Sequence, residues 1–109
     1  HCLSSAASDV YKRQGVPIVF DYHHHRFCDG GLSEQEALEL AISTWPEDIV
    51  PATHYSESRS IEKEDETIRP QAHSDYVYDK INTYGNDIDI MIEAKRKELA
   101  VAKYLELHG

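Results

Sequence analysis

Little in this 109-residue sequence is basic: 11 lysines and arginines stand against 20 aspartates and glutamates, a formal charge of −9. A free-standing nucleic-acid-binding module carries a basic face, so the chain by itself does not read as one. The acid excess is compatible with an enzyme that holds cations, because clustered carboxylates look over-charged until the metal's own charge is counted. Apolar residues never run to the roughly 20 in succession that a membrane-spanning helix needs. No charged-then-apolar segment of secretory type opens the sequence. Cysteine is limited to Cys2 and Cys28, too few for a zinc knot or a disulfide framework. These absences lead us to expect a cytoplasmic chain in a reducing compartment, with no membrane contact and no obligate protein partner. Its length allows one small domain with a modest core.

The first fourteen residues stand apart. Ser4–Gln14, "SSAASDVYKRQ", shows neither helical nor strand periodicity. It back-translates codon for codon to a transposase sequencing adapter that ends in the mosaic end GATGTGTATAAGAGACAG. Residues 1–14 are therefore read as a translated adapter and set aside from fold reasoning. Residues 15–109 are read as the C-terminal part of a longer protein, and Cys2 carries no meaning on this reading.

The remainder alternates strand and helix signals. Val16–Phe20 is a short apolar run, rich in β-branched residues, that predicts a buried strand. A turn-rich stretch ending in Gly30-Gly31 follows. Ser33 with Glu36 three residues on is a capping box, and Ala37, Leu38, Ala41 and Ile42 form the apolar face of the helix it opens. Asp48–His54 predicts a second strand. Tyr55–Gln71 is a long polar loop with room for a helical turn, of the length that is usually functional or disordered. Val77–Tyr84 predicts a helix or turn. Asp87–Glu93, "DIDIMIE", alternates with period two, which puts Asp89 and Glu93 on one face. Ala94–His108 predicts an amphipathic helix with Leu99, Ala102 and Leu105 on one side and lysine and arginine opposite. Strand–helix alternation implies a parallel sheet. Three such units amount to about three-eighths of a (β/α)8 TIM barrel.

Against that frame the stretch "IVFDYHHHRFCDGG", residues 18–31, places an aspartate and three histidines where a strand stops. Taken alone, it fits a metal site and a solvated loop equally. Each predicted strand, however, ends in a potential ligand: Asp21 and His24 after the first, His54 after the second, Glu93 after the third. His73 comes from the loop between the last two. Strand ends of a barrel converge on one face. Aspartate, histidine and glutamate without paired cysteines suit a hydrolytic or Lewis-acid centre rather than a structural zinc knot.

Four segments carry a family resemblance. "VPIVFDYHHHRFCDGGLSEQEAL", "THYSESR", "AHSDYV" and "DIDIMIEAKRKELA" together resemble the C-terminal part of a UV damage endonuclease, a TIM barrel related to endonuclease IV and, more distantly, to xylose isomerase-like enzymes. The resemblance covers residues 15–105 in order. It implies that Asp21, His54 and Glu93 are catalytic ligands sharing one ion, and that His24 and His73 hold a second. His23 and His25 fall outside the motif's spacing. It implies manganese as the first choice of metal and zinc as the second. The implied substrate is damaged double-stranded DNA, nicked immediately 5′ of a UV lesion to leave a 3′-hydroxyl and a 5′-phosphate. Arg59 is a weak candidate for a phosphate contact, since a solvated loop arginine is the commoner case. One position departs from the pattern: family members carry lysine two residues before the histidine matched by His54, and here that residue is Ala52. The His24/His73 ion would then be held differently or more weakly. The resemblance also implies further histidines and a bridging glutamate on earlier strands that residues 15–109 lack, so the chain by itself is expected to be inactive. The alternative enzyme class is a divalent-metal sugar isomerase or epimerase on the same barrel, marked by an upstream catalytic lysine or second glutamate.

Overall fold

A computed structural model describes residues 2–109. Its backbone runs α1 (Ser5–Gln14), β1 (Phe20–Asp21), α2 (Tyr22–Phe27), α3 (Glu34–Ile42), β2 (Ala52–Tyr55), α4 (Arg59–Glu62), β3 (Asp89–Ile92) and α5 (Glu98–His108). The three strands form one parallel sheet in the order β1-β2-β3. This is the α/β arrangement expected of part of a TIM barrel.

The register gives the sheet two unlike faces. Phe20 lies opposite Thr53 and Asp21 opposite His54. Ala52, Thr53, His54 and Tyr55 lie opposite Asp89, Ile90, Met91 and Ile92. Side chains alternate along a strand, so Phe20, Thr53 and Tyr55 share one face with Ile90 and Ile92. Phe20, Thr53 and Tyr55 are all buried. The aromatic pair joins a core with Tyr22, Ala37, Leu38, Ala41, Val77 and Ile81. Tyr22 sits edge-on to both Phe20 and Tyr55, at ring-centre distances of 4.9 and 5.6 Å. The other face carries Asp21, Ala52, His54, Asp89 and Met91, and Met91 is 62% exposed. In a barrel the first face meets the helices and the second meets the lumen.

The α3 helix starts as its sequence dictates. Ser33 accepts from the Glu36 amide at 3.1 Å, and Glu36 accepts from the Ser33 amide at 3.0 Å. Ala37, Leu38 and Ala41 are buried on its inner face.

Elsewhere the boundaries shift, for identifiable reasons. The first strand is shorter than Val16–Phe20. Pro17 has no amide to donate, and the Ile18 backbone is taken by side chains: its amide donates to Thr44 Oγ1 and its carbonyl accepts from Trp45 Nε1, both at 2.7 Å. The second strand begins only after Pro51. Val77–Tyr84 forms neither helix nor strand. The last helix starts at Glu98, because Lys97 adopts φ 51° and interrupts the run. Its buried contact is Ala100 and not the Leu99/Ala102/Leu105 face, on which Leu99 and Leu105 are 56% and 58% exposed.

Residues 5–14, in which no periodicity is visible, are nonetheless helical. The Ser4 hydroxyl caps the N-terminus by accepting from the Ala7 amide at 3.1 Å, and Gly15 closes the helix in the left-handed region at φ 69°. Lys12 and Arg13 in the last turn complement the helix dipole. Cys2 and Cys28, expected to be unpaired, form a disulfide. Two cysteines 26 residues apart carry no spacing signal; what pairs them is the return of the N-terminal segment to the C-terminal end of α2.

The polar segment after β2 is held by ion pairs and carboxylate caps. Arg59 and Lys63 reach Asp75 at 2.5 and 2.9 Å. Glu62 accepts from the amides of Asp75 and Tyr76 and from the Tyr78 hydroxyl, at 2.8, 3.0 and 2.7 Å. Burial acts to raise the Glu62 pKa, but these donors outweigh it and hold the carboxyl below its usual value. Lys63 holds the Asp75 carboxyl low, with Arg59 acting in the same direction against desolvation.

Two outcomes follow. Leu38 is fully buried, so Leu38→Ala should cost about 3 kcal/mol in urea unfolding, from lost transfer energy plus a cavity. Glu62 and Asp75 are depressed in the folded state, so their stabilisation is complete above the unfolded carboxylate value of about 4. It is lost as pH falls through the folded values. Urea midpoints should therefore fall as pH drops below about 4, and Glu62→Gln should flatten that dependence.

Candidate metal centre

Asp21 ends β1 and also caps α2. Its backbone is still extended, φ −111° and ψ 106°, while its Oδ1 accepts from the amides of His23 and His24 at 3.0 Å each. An aspartate at a strand-to-helix junction satisfies two orphan amides of the helix it opens. Both bonds go to Oδ1, so Oδ2 is the oxygen left to meet a cation.

His54 is the register partner of Asp21 and therefore points to the same side of the sheet. Glu93 lies one residue past β3 and two past Met91, which is opposite His54. The Glu93 amide donates to the Tyr55 carbonyl at 2.8 Å, extending the ladder by one step and keeping the alternation. Its Oε1 lies 3.3 Å from His54 Nδ1, and both side chains are about one-third exposed, at 34% and 35%. The ligand atoms of Asp21, His54 and Glu93 all lie within 4.8 Å of one another. Donor atoms about 2.0–2.2 Å from a shared ion are at most about 4.4 Å apart, so small rotations of these partly exposed side chains close the set. Two carboxylates and an imidazole are N/O donors that suit manganese or zinc.

The other expected residues are placed differently. His24 is exposed, and neither it nor His73 joins a group of three ligands among the described residues. The ring beside His73 is that of His23, at 5.5 Å between centres and nearly perpendicular. His23 is buried, its Nε2 is 3.0 Å from the Gln71 carbonyl, and its Nδ1 is buried without a hydrogen-bond partner. A carbonyl only accepts, so Nε2 is the donor to Gln71. His25 packs against Phe20. Arg59 is engaged by Asp75. Ala52 is two residues before His54 on the same sheet face, opposite Asp89.

Sequence reasoning missed Glu57 and Glu62. Glu57 accepts from the amides of Tyr78 and Asp79, both at 3.0 Å, and from the Tyr55 hydroxyl at 2.7 Å. Burial first, then the Glu57 carboxylate, raises the Tyr55 phenol. The Tyr78 phenol is pushed up to about 12, by burial and by Glu62. Glu57 lies within the "THYSESR" segment, which could have flagged it. Glu62 lies in a charged stretch with no local signal.

A model of the family described as "UV-endonuclease UvdE" matches residues 7–108. A UV DNA damage endonuclease of Bacillus anthracis (strain A0248) is 33% identical over 116 residues, covering 96% of this chain and 34% of that protein. Its namesake from Bacillus cereus (strain Q1) is 35% identical over 107 residues, covering 88% of this chain and 31% of the relative. The crystal structure of SacUVDE superposes with a TM-score of 0.66 at 26% identity, over 92% of this chain and 35% of that one. The chain thus spans about a third of the length of the curated relatives it matches. On the family match and these identities, the chain belongs to the UV-endonuclease UvdE family.

Proposed function

We propose that this chain supplies three ligands to the divalent-metal centre of a DNA-repair endonuclease that nicks the backbone 5′ of UV lesions. The observation that supports this best is the convergence of Asp21, His54 and Glu93 at the ends of three adjacent parallel strands. Manganese is the first choice and zinc the second, from the N/O donor set. When bound, such an ion supplies a water of lowered pKa and neutralises charge on the phosphate. The chain's own part is to present the donors. The α2 cap fixes Asp21, the β-ladder fixes His54, and the ladder's extra step fixes Glu93. His54 ligates only as neutral imidazole, and the Glu93 carboxylate lies 3.3 Å from its Nδ1.

The substrate on this reading is damaged double-stranded DNA in the cytoplasm. Damaged duplexes cost less to unstack, which is a general source of lesion selectivity. A chain of net charge −9 repels phosphate, so DNA affinity falls to the rest of the family's length, and the chain by itself is inactive. Residues 15–109 form the working segment, and residues 1–14 derive from an adapter.

Calorimetric titration of the chain with Mn²⁺ should show a site that Asp21→Ala or Glu93→Ala weakens by more than about tenfold. Residues 15–109 without the first fourteen should retain it. Joined to the portion of the Bacillus relative that it does not match, residues 15–109 should nick UV-irradiated supercoiled plasmid, spare undamaged plasmid, and lose the activity with EDTA or Asp21→Ala. A folded, metal-loaded hybrid that nicks both plasmids equally, or neither, would overturn the reading.

A further inference from the structure

We propose that Glu57 and Glu62 are positioning residues that hold His73 against His23; the functional consequence rests on the metal-centre reading. Residues 74–79 form neither helix nor strand, yet two carboxylates organise them. Glu62 uses Oε1 for the Asp75 amide and Oε2 for the Tyr76 amide. Glu57 uses Oε1 for the Tyr78 amide and Oε2 for the Asp79 amide. Each carboxylate therefore takes two successive backbone donors. The two grips are cross-linked, because the Tyr78 hydroxyl donates to Glu62 Oε2. Only 6% of the Glu62 side chain is exposed, so its bonds are shielded from competing water.

His73 sits just before the gripped amides and is pinned on both sides. The Arg59 amide donates to the Ala72 carbonyl at 2.8 Å, and the Ser74 amide to the Glu57 carbonyl at 2.9 Å. The amides of Lys95 and Arg96 donate to the carbonyls of Ser74 and Asp75, at 2.9 and 3.1 Å. The loop is thereby tied to the extensions of both β2 and β3, whose ends carry His54 and Glu93. Its His73 ring faces His23, whose Nδ1 is buried without a partner. Glu57, Glu62 and His23 line one cavity of about 490 Å³. A glutamine at either position keeps the size but has a single acceptor oxygen, so it cannot hold two amides from opposite ends of the group.

The test uses the full chain and NMR. Glu62→Gln should speed exchange at the Asp75 and Tyr76 amides, and Glu57→Gln at Tyr78 and Asp79, by about tenfold or more. The Glu93 amide should keep its protection in both. The His23–His73 ring contact should weaken, and Mn²⁺ broadening of His73 should fall relative to that of His54, a ratio that general destabilisation does not change. Tyr78→Phe removes only the cross-link and guards against a glutamine variant that fails to fold; it should loosen all four amides to a smaller degree. Unchanged protection at residues 75–79, or an intact His23–His73 contact, in folded variants would overturn the proposal. If wild-type chain shows no Mn²⁺ broadening at His54, the metal-centre reading fails instead, and the exchange and ring-contact results still decide whether these carboxylates position His73.

Discussion

The pairing register of three short parallel strands decides both the core and the candidate site. A strand offers its side chains to two faces in strict alternation. Phe20, Thr53 and Tyr55 must go inward for the core to close, and this commits Asp21 and His54 to the opposite face. Glu93 joins them because it lies two residues beyond Met91, the partner of His54. A slip of one residue would bury Asp21 and His54 and expose the aromatics. Core packing and ligand placement are thus one constraint, satisfied together or not at all. Thr53 reinforces it, its buried hydroxyl donating to the Asp89 carbonyl at 2.9 Å across the β2–β3 seam.

Beyond the sheet, the order of the chain depends on carboxylates that accept from backbone amides. Asp21 does so at α2, Glu36 at α3, and Glu57 and Glu62 along the segment after α4. The excess of acid is therefore not spread evenly over a solvated surface. Part of it replaces secondary structure, since charge-assisted bonds from successive amides do for a loop what a ladder does for a strand. Arg59 belongs to the same system through Asp75.

What was legible in the sequence follows from how local the signal is. The α3 capping box spans four residues and is read directly. The period-two run of "DIDIMIE" gives the parity of β3, although hydrogen bonding confines the strand to Asp89–Ile92. The grouping of Asp21, His54 and Glu93 was legible because each ends a strand and a parallel sheet brings strand ends together. The first strand is shorter than its apolar run because Ile18 looks like strand yet is satisfied by Thr44 and Trp45, 26 and 27 residues away. A helix of small and apolar residues such as α5 offers more than one face for burial. Tertiary contact selects Ala100 and the half-buried Tyr104, whose hydroxyl accepts from the Ile81 amide at 3.0 Å. The helix over residues 5–14 was missed because short caps, not periodicity, define it. His23 and Glu62 had no local signal: their partners lie 48 and 13 to 16 residues away.

On the proposed reading, Asp21 serves a cation and a helix cap with one carboxylate and without competition. One oxygen is committed to the α2 amides, which restrains the carboxylate's rotation and leaves the second oxygen free of them, on a residue whose register partner is His54. Asparagine there would keep the cap, since its carbonyl oxygen can accept the same two bonds, but would offer its amide nitrogen where the second oxygen stood. Alanine would remove the cap as well, at about 1 kcal/mol. The two substitutions therefore separate the contributions. A metal site lost in both, with folding weakened only by alanine, assigns the cation to Oδ2 and the helix to Oδ1. The same division explains why an aspartate, and not a histidine or glutamate, suits the first strand's end: only its short side chain caps a helix while still facing across the sheet.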